Sequence, residues 1–195
     1  MVSPRPSSPP GKLRIIGGAL RGSRIAVPDV PGLRPTPNRV RETLFNWLAP
    51  LIQGAKCLDL FAGTGALGIE ALSRGAAHVD FVETDARLAA LLRENLSRLK
   101  QDAGVDCSDA PRFLAQGTQR YDIVFLDPPF ASNWWTTVAQ ALETHGRLQD
   151  AAWIYIESPA GSMPDLPRNW TLHREGRAGE VRYVLYRRAG PSAKL

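Results

Sequence analysis

Cysteine is scarce in this chain, with only two cysteines among its 195 residues. Cys57 and Cys107 each fall at or beside a predicted strand, which favours two reduced thiols over a disulfide. Neither has a cysteine or histidine at metal-ligand spacing, so we expect no metal site.

Long apolar runs are also missing. No run approaches the roughly 18 residues of a membrane-spanning helix. The first 11 residues are rich in proline and serine and contain no apolar core, which argues against a secretory signal peptide. We therefore expect a cytoplasmic protein that makes no membrane contact and begins with a disordered tail over residues 1–11.

Positive charge collects near the two ends of the chain. Between Lys12 and Arg41 there are seven basic residues against one acidic residue, and from Arg168 to the end there are seven against two. Basic segments that flank a less basic centre suggest a polyanion docked beside a pocket. A solvated basic face without a partner is the alternative.

Segments 12–16 and 24–27 predict a β-hairpin arm, which we expect over 12–35 to be exposed and mobile. A helix is predicted to open at Thr36-Pro37, with Thr36 as its N-cap. Its buried positions recur at helical spacing: Val40, Leu44, Trp47, Leu48 and Leu51.

From residue 56 onward, predicted strands alternate with predicted helices. This pattern is typical of an α/β domain, here 36–190, whose mostly parallel sheet has helices on both faces. We expect strands at 57–61, 78–83, 105–107, 123–127 and 152–157, and helices at 66–73, 86–100, 110–115 and 134–145. Segments 171–177 and 181–187 predict an antiparallel hairpin at one edge of the sheet.

The most informative stretch is Asp127-Pro128-Pro129-Phe130. It follows an apolar run, 122–126, that has the length and composition of a buried parallel strand, and two consecutive prolines must end that strand. Open α/β sheets bind ligands where such a strand ends. A carboxylate, two carbonyl groups and an aromatic ring therefore meet at one rigid turn. A proline-rich loop with a purely structural role is the alternative.

A glycine-rich loop follows the first strand of the predicted sheet. Gly63, Gly65 and Gly68 satisfy G-x-G-x-x-G, and Glu83 lies twenty residues after Gly63. Such glycines let the backbone approach a ligand, and the acid can bind two ribose hydroxyls. A nicotinamide dehydrogenase would show the same pattern.

Two aspartates refine the prediction of the ligand. Asp59 precedes the loop at the expected mouth of the pocket, where it would repel a pyrophosphate and attract the cationic amino-acid end of S-adenosylmethionine. Asp109-Ala110, after the third strand, can hydrogen-bond an adenine amino group. The alternative for Asp109 is a helix N-cap without a ligand.

A cationic methyl donor beside this turn suits transfer to the exocyclic amine of a base. Such an amine is a poor nucleophile because its lone pair is delocalised into the ring. If Asp127 and the Pro128 carbonyl each accept one N–H, the lone pair points at the methyl carbon, and such orientation can contribute roughly 7–11 kcal/mol. Phe130 can stack on the base, which must leave its own stack to enter the pocket. Trp134 and Trp135 can help hold it, although we expect at least one of them to pack in the core.

Residues 59–68, Glu83 and 127–130 together resemble the class I S-adenosylmethionine-dependent amino-methyltransferases. The opening of the chain is more specific, and it resembles the bacterial 16S rRNA guanine-N2 methyltransferase family of the RsmD type. The residues that carry this second resemblance are Arg14-Ile15-Ile16-Gly17-Gly18, Arg21-Gly22, Arg34-Pro35-Thr36, the run from Arg39 to Leu48, and His173-Arg174-Glu175.

The resemblance implies a Rossmann-like fold with a seven-stranded sheet and an N-terminal hairpin that touches RNA. It also implies an enzyme that uses S-adenosylmethionine to methylate one guanine N2 in the 16S rRNA of the small ribosomal subunit. We expect a monomer. The implied catalytic set is Asp127, Pro128, Pro129 and Phe130. The implied cofactor contacts are Asp59, Phe61, Gly63, Gly65, Gly68, Glu83, Asp109 and Ala110. The expected RNA-binding residues are Arg14, Arg21, Arg24, Arg34, Arg39 and Arg41.

Three other functions stay open on the sequence. A DNA adenine-N6 methyltransferase would use the same turn, although 195 residues leave little room for a target-recognition domain. An NAD-dependent oxidoreductase predicts a catalytic histidine or Lys–Tyr pair near the pocket, and none of the three histidines has such a placement. A non-catalytic RNA-binding protein would not need Asp127.

Overall fold

The computed structural model describes residues 11–28, 36–132 and 134–190. Its strands are β1 (Gly11–Arg14), β2 (Arg24–Val27), β3 (Lys56–Asp59), β4 (His78–Val82), β5 (Gly104–Asp106), β6 (Tyr121–Leu126), β7 (Leu148–Pro159), β8 (Trp170–Ala178) and β9 (Val181–Arg188). Its α-helices are α1 (Asn38–Leu48), α2 (Ala66–Ser73), α3 (Ala86–Arg98), α4 (Ala110–Gln116) and α5 (Trp135–Thr144). The predicted order of elements is confirmed, with boundaries that differ by a few residues. The predicted tail lies outside the described residues except for Gly11, which begins β1.

Strands β3 to β9 form a seven-stranded sheet in the order β5-β4-β3-β6-β7-β9-β8. The neighbours among β3 to β7 run parallel, whereas β9 pairs antiparallel with both β7 and β8. The predicted fold, with an antiparallel hairpin at one edge, is thereby confirmed. β6 is the central strand, and the chain reverses its direction of winding between β3 and β6. Open α/β sheets bind ligands at such a reversal.

Helices cover both faces of the sheet, and β6 shows why its run is continuously apolar. Ile123 and Phe125 pack in the core beneath α1, α2 and α3, while Val124 and Leu126 pack in the core beneath α4 and α5. All four side chains are fully buried. Successive side chains of a strand point to opposite faces, so a strand covered on both sides must be apolar at every position. Each such burial contributes about 1.5–3 kcal/mol.

The N-terminal arm, β1 and β2, is the predicted hairpin, but it is not exposed throughout. Ile15 and Ile25 are fully buried in the main core. The backbone N–H groups of Ile16 and Gly17 each donate to the carboxylate of Glu70 on α2, at 2.8 Å. The expectation of an exposed arm is therefore wrong for its inner face, because α2 and the core hold it.

Arg41 corrects a predicted RNA contact. Its side chain is fully buried, with Nη1 3.7 Å from a carboxylate oxygen of Glu70. Its Nη2 donates to the Arg14 carbonyl at 2.9 Å and to Asn38 Oδ1 at 2.7 Å. The prediction that Arg41 binds RNA is wrong, because its guanidinium instead joins α1, α2 and the arm inside the protein.

The start of α1 also differs from the prediction. The helix begins at Asn38, and Pro37 stands at its N-cap without a side-chain hydrogen bond. Thr36 lies one residue before the N-cap, and its hydroxyl donates to Glu157 on β7 at 2.9 Å. Of the five predicted core positions, three are buried and two, Trp47 and Leu51, are half-buried.

Both cysteines are free thiols, of which Cys57 is buried and Cys107 is exposed. Within residues 11–28, 36–132 and 134–190, no helix has the length and apolarity to cross a membrane.

Candidate active site

The turn at Asp127 lies where the central strand ends. β6 stops at Leu126, Asp127 is half-buried, and Pro128 is buried. Pro129 and Phe130 are exposed, and a single 3-10 turn begins at Phe130. The prolines fix the backbone here because their rings lock φ and remove two donors from the ladder. The turn therefore presents a carboxylate and an aromatic ring at the carboxyl edge of the sheet.

The glycines of the loop are required by geometry. Gly63 and Gly65 adopt φ values of 52° and 76°, a region that favours glycine. A Cβ at Gly65 would lie 2.3 Å from Leu92, and one at Gly68 would lie 2.2 Å from the ring of Phe81. The loop can therefore turn sharply, and α2 can lie close to β4.

Glu83 holds the loop from the next strand. One of its carboxylate oxygens accepts the Gly63 N–H at 2.7 Å, and the other accepts the Asp85 N–H at 2.8 Å. The side chain is thereby fixed at the carboxyl end of β4, where it lines a cleft. Both features suit an acceptor for ribose hydroxyls.

A cleft with a volume of about 320 Å³ opens between the glycine loop, the end of β4 and the turn after β6. Its walls combine apolar side chains with three carboxylates, those of Glu83, Asp85 and Asp109, and no described residue that lines it is basic. Four of the predicted site residues besides Glu83 and Asp109 line it: Phe61, Gly63, Ala110 and Pro129. A pyrophosphate would find no counter-charge on these walls, whereas a cation would.

Asp59 lies beneath the loop rather than at the mouth of the cleft. Its side chain is 3% exposed, and Oδ2 accepts the Gly68 N–H at 2.9 Å. Burial raises the pKa of Asp59 to about 7, against a hydrogen bond from Gly68 that lowers it. Asp59 thus fixes the start of α2, and its role as a cofactor contact stays a prediction.

Asp109 is a helix N-cap that also lines the cleft, and its bond to an adenine amino group stays a prediction. Its carboxylate accepts the Arg112 N–H at 2.8 Å and caps α4, and the residue also lines the cleft. Ala110 follows it and is buried. Both residues line the same cleft as Glu83.

A second buried carboxylate accompanies Asp127, and sequence reasoning missed it. Glu157, near the carboxyl end of β7, is 3% exposed and accepts hydrogen bonds from Thr36 and Tyr155. Burial, together with the charges of Glu157 and Asp59, holds the pKa of Asp127 well above its ordinary value. Burial also raises the pKa of Glu157. An acid at the carboxyl end of the strand beside β6 was the available signal.

The aromatic residues near the turn divide by exposure. Phe130 is 41% exposed, and its ring centroid lies 6.1 Å from that of Trp135. Trp135 is 3% exposed, and its Nε1 donates to the Glu157 carbonyl at 2.7 Å, so it packs in the core. Trp134 is half-buried and lines the cleft. The expectation that at least one tryptophan packs in the core is confirmed.

Four of the predicted RNA-binding arginines are exposed: Arg14, Arg21, Arg24 and Arg39. Arg34 lies outside the described residues, and Arg41 is buried. No group of three or more potential metal ligands occurs among the residues that the structure describes.

Comparison with known proteins gives the family. Residues 13–187 match the family described as conserved hypothetical protein 95. Ribosomal RNA small subunit methyltransferase D of Escherichia coli K12 is 53% identical over 180 residues, which cover 91% of each chain. The protein of the same name from Haemophilus influenzae is 44% identical over 181 residues, 90% of this chain and 94% of that one. The solved structure of yhhF from Escherichia coli matches with a TM-score of 0.86 at 49% identity, over 93% of this chain and 100% of that one. The chain therefore belongs to the conserved hypothetical protein 95 family, together with these ribosomal RNA small subunit methyltransferase D proteins.

Proposed function

We propose that this protein transfers a methyl group from S-adenosylmethionine to the exocyclic N2 of a guanine in 16S rRNA of the small ribosomal subunit. The observation that carries the proposal is the turn of Asp127-Pro128-Pro129-Phe130 beside a cleft in which none of the described lining residues is basic. The high identity to ribosomal RNA small subunit methyltransferase D supports the same substrate class.

The cleft fits S-adenosylmethionine better than a dinucleotide. Glu83 would bind the ribose hydroxyls, Asp109 and Ala110 the adenine, and the backbone at Gly63 the amino-acid end. Carboxylates on the walls favour a ligand with a cationic sulfur over one with a pyrophosphate. When bound, this cofactor supplies a methyl group on a positively charged sulfur.

The turn would orient the amine that receives the methyl group. The Asp127 carboxylate and the Pro128 carbonyl each accept one N–H, which directs the nitrogen lone pair towards the cleft. The nitrogen forms its bond to the methyl carbon as the carbon–sulfur bond breaks, and the electron pair of that bond stays on sulfur. The nitrogen then gives up one proton, which the Asp127 carboxylate accepts. Orientation provides most of the acceleration in this account, of the order of 7–11 kcal/mol in favourable systems.

Phe130 would hold the guanine once it has left its stack. Its ring is 41% exposed beside Asp127, and stacking of a base on an aromatic ring contributes roughly 1–3 kcal/mol. Trp134 would form part of the neighbouring wall.

The exposed arginines of the arm and of α1 would contact RNA phosphates. Glu70 fixes the backbone of the arm at Ile16 and Gly17, so Arg14 and Arg21 are presented from an anchored hairpin. Arg39 is presented from the exposed face of α1. Each phosphate contact adds to the salt dependence of RNA binding. We propose that the protein acts as a monomer without a metal ion.

The test offers radiolabelled S-adenosylmethionine with small ribosomal subunits that lack the modification, followed by digestion of the RNA to nucleosides. We expect label in N2-methylguanosine. Label in N6-methyladenosine of DNA offered in parallel would instead identify a DNA adenine methyltransferase. RNA binding without label in any nucleoside would favour a non-catalytic RNA-binding protein, and hydride transfer with a nicotinamide cofactor would favour an oxidoreductase.

A further inference from the structure

Given the proposed methyl transfer, we propose that Glu157 and Thr36 are positioning residues, which keep Asp127 ready to receive the substrate amine by exchanging one proton through the Thr36 hydroxyl. The inference rests on three groups that come from distant parts of the chain and meet behind the turn. Thr36 precedes α1, Asp127 follows β6, and Glu157 lies near the end of β7.

Glu157 is held by hydrogen bonds to one oxygen of its carboxyl group and to its backbone carbonyl. Its Oε1 accepts the Thr36 hydroxyl at 2.9 Å and the Tyr155 hydroxyl at 2.8 Å. Its backbone carbonyl accepts Trp135 Nε1 at 2.7 Å. Thr36 is 6% exposed and Glu157 is 3% exposed, so both groups are shielded from solvent.

The Thr36 hydroxyl serves both carboxyl groups. It donates to Glu157, and hydrogen bonding from it also lowers the pKa of Asp127, against the larger effect of burial. A hydroxyl has one hydrogen to donate and can accept in return. It can therefore take a proton from one carboxyl group and pass its own to the other.

Leu126 pairs with Ile156 in the parallel register, so Asp127 and Glu157 follow on neighbouring strands. Burial raises the pKa of both carboxyl groups, and neighbouring carboxylates resist ionising together, so in the proposal the pair shares one proton. Three titratable groups lie near the pair: Asp59 on β3 raises the pKa of Asp127, Tyr155 on β7 donates to Glu157, and Tyr183 on β9 interacts with Tyr155. Asp59 adds a further like charge when it ionises. The causes that raise the pKa of Asp127 are burial and the two acidic groups Glu157 and Asp59.

Substrate decides where the shared proton resides. An amine that donates N–H bonds to Asp127 stabilises its charged form, so the proton moves through Thr36 to Glu157. The amine nitrogen then bonds to the methyl carbon, the carbon–sulfur electron pair stays on sulfur, and the proton that leaves nitrogen is accepted by the Asp127 carboxylate. Atoms and charges balance without a further reactant.

The two residues have opposite effects on Asp127, which gives the test its direction. In Glu157→Gln the repulsive charge is lost, so the pKa of Asp127 falls. The acidic limb of the pH profile, in which the single-turnover rate falls as the pH falls, therefore moves to lower pH. In Thr36→Val the favourable hydrogen bond is lost, so the limb moves to higher pH, and Thr36→Ser restores it. Each unit of displacement changes the rate below the limb about tenfold.

The experiment measures single-turnover methyl transfer against pH for the full-length wild type and these three variants, with Glu94→Gln as the control. Glu94 is exposed on α3, so its variant should keep the wild-type limb. A second readout needs no turnover: the ¹³C carboxyl resonance of Asp127 in the protein alone, assigned with Asp127→Asn, should titrate at lower pH in Glu157→Gln and at higher pH in Thr36→Val.

The inference would be overturned if the acidic limb of the rate moved in the same direction in Glu157→Gln and in Thr36→Val. It would also be overturned if neither variant moved the limb or the Asp127 resonance. An equal loss of rate at every pH would assign both residues a structural role and would also overturn it. Failure of the wild type to methylate guanine N2 would count instead against the proposed function, and the two failures are therefore distinguishable.

Discussion

Glu70→Gln is expected to destabilise the protein strongly, because Glu70 on α2 holds both the N-terminal arm and α1. Its fully buried carboxylate accepts the Ile16 and Gly17 N–H groups and Arg74 Nε, all at 2.8 Å, and it faces Arg41 Nη1 at 3.7 Å. A glutamine keeps the shape, but its NH₂ group must face one of these donors. It also leaves the buried Arg41 without a counter-charge, and Arg41 Nε and Nη1 already lack hydrogen bonds.

The magnitude follows from that arrangement. Breaking a buried ion pair by removing one partner costs about 3–5 kcal/mol. A protein of this size loses roughly 2–4 °C of Tm per kcal/mol, so we expect the Tm to fall by about 6–20 °C. The double variant Arg41→Met, Glu70→Gln should recover part of the loss because it no longer buries an unpaired cation.

Thermal and urea unfolding followed by circular dichroism would measure both quantities. Glu94→Gln is the matched control, since it removes the same charge from an exposed position and should change stability by less than about 0.5 kcal/mol. A free energy of unfolding for Glu70→Gln within about 1 kcal/mol of the wild type would refute the reasoning. It would mean that the arm and α1 do not depend on this carboxylate.

Three further predictions follow from single sites. Because the pKa of Asp59 is raised to about 7 in the fold, its contribution to stability is greatest at low pH and is lost as pH rises from about 4 to about 7. The free energy of unfolding of Asp59→Asn should therefore rise relative to that of the wild type across this pH range, by up to about 4 kcal/mol. A difference in unfolding free energy that stays constant with pH would contradict this. Gly68→Ala should lower stability by about 1–3 kcal/mol because its Cβ meets Phe81 at 2.2 Å. Gly161→Ala, where nothing lies within 4 Å, is the control, and equal unfolding midpoints for the two would refute the argument. Arg39→Ala should weaken RNA binding and reduce the slope of log K against log salt by about 1. Arg120→Ala, an exposed position directly before the amino end of β6, should leave the slope unchanged. A salt slope in Arg39→Ala equal to that of the wild type would remove Arg39 from the interface.

The features that could be predicted from sequence are those set by local chemistry. Helix α2 was expected at residues 66–73 and lies there, because a glycine turn starts it and an apolar run continues it. The end of β6 at Leu126 follows from two prolines that cannot continue a strand. The glycine loop and Glu83 follow from a short spacing within one β-α-β unit.

The features that sequence reasoning missed depend on partners far apart in the chain. Arg41 looked like one more basic residue, and only the fold brings the buried carboxylate of Glu70 to it. Thr36 has the chemistry of an N-cap, but its hydroxyl bonds to Glu157, 121 residues away. Whether this residue stands at the N-cap or bonds to a distant carboxyl group is decided by packing, which a local sequence pattern does not determine.

The central claim is that Asp127 performs the transfer while other residues bind the cofactor. The most direct measurement compares wild type and Asp127→Ala in the labelled methyl-transfer assay and, in parallel, measures S-adenosylmethionine binding by calorimetry. The account predicts that Asp127→Ala loses transfer to guanine N2 and retains cofactor affinity within a few-fold. Retained transfer, or equal loss of transfer and binding, would contradict it.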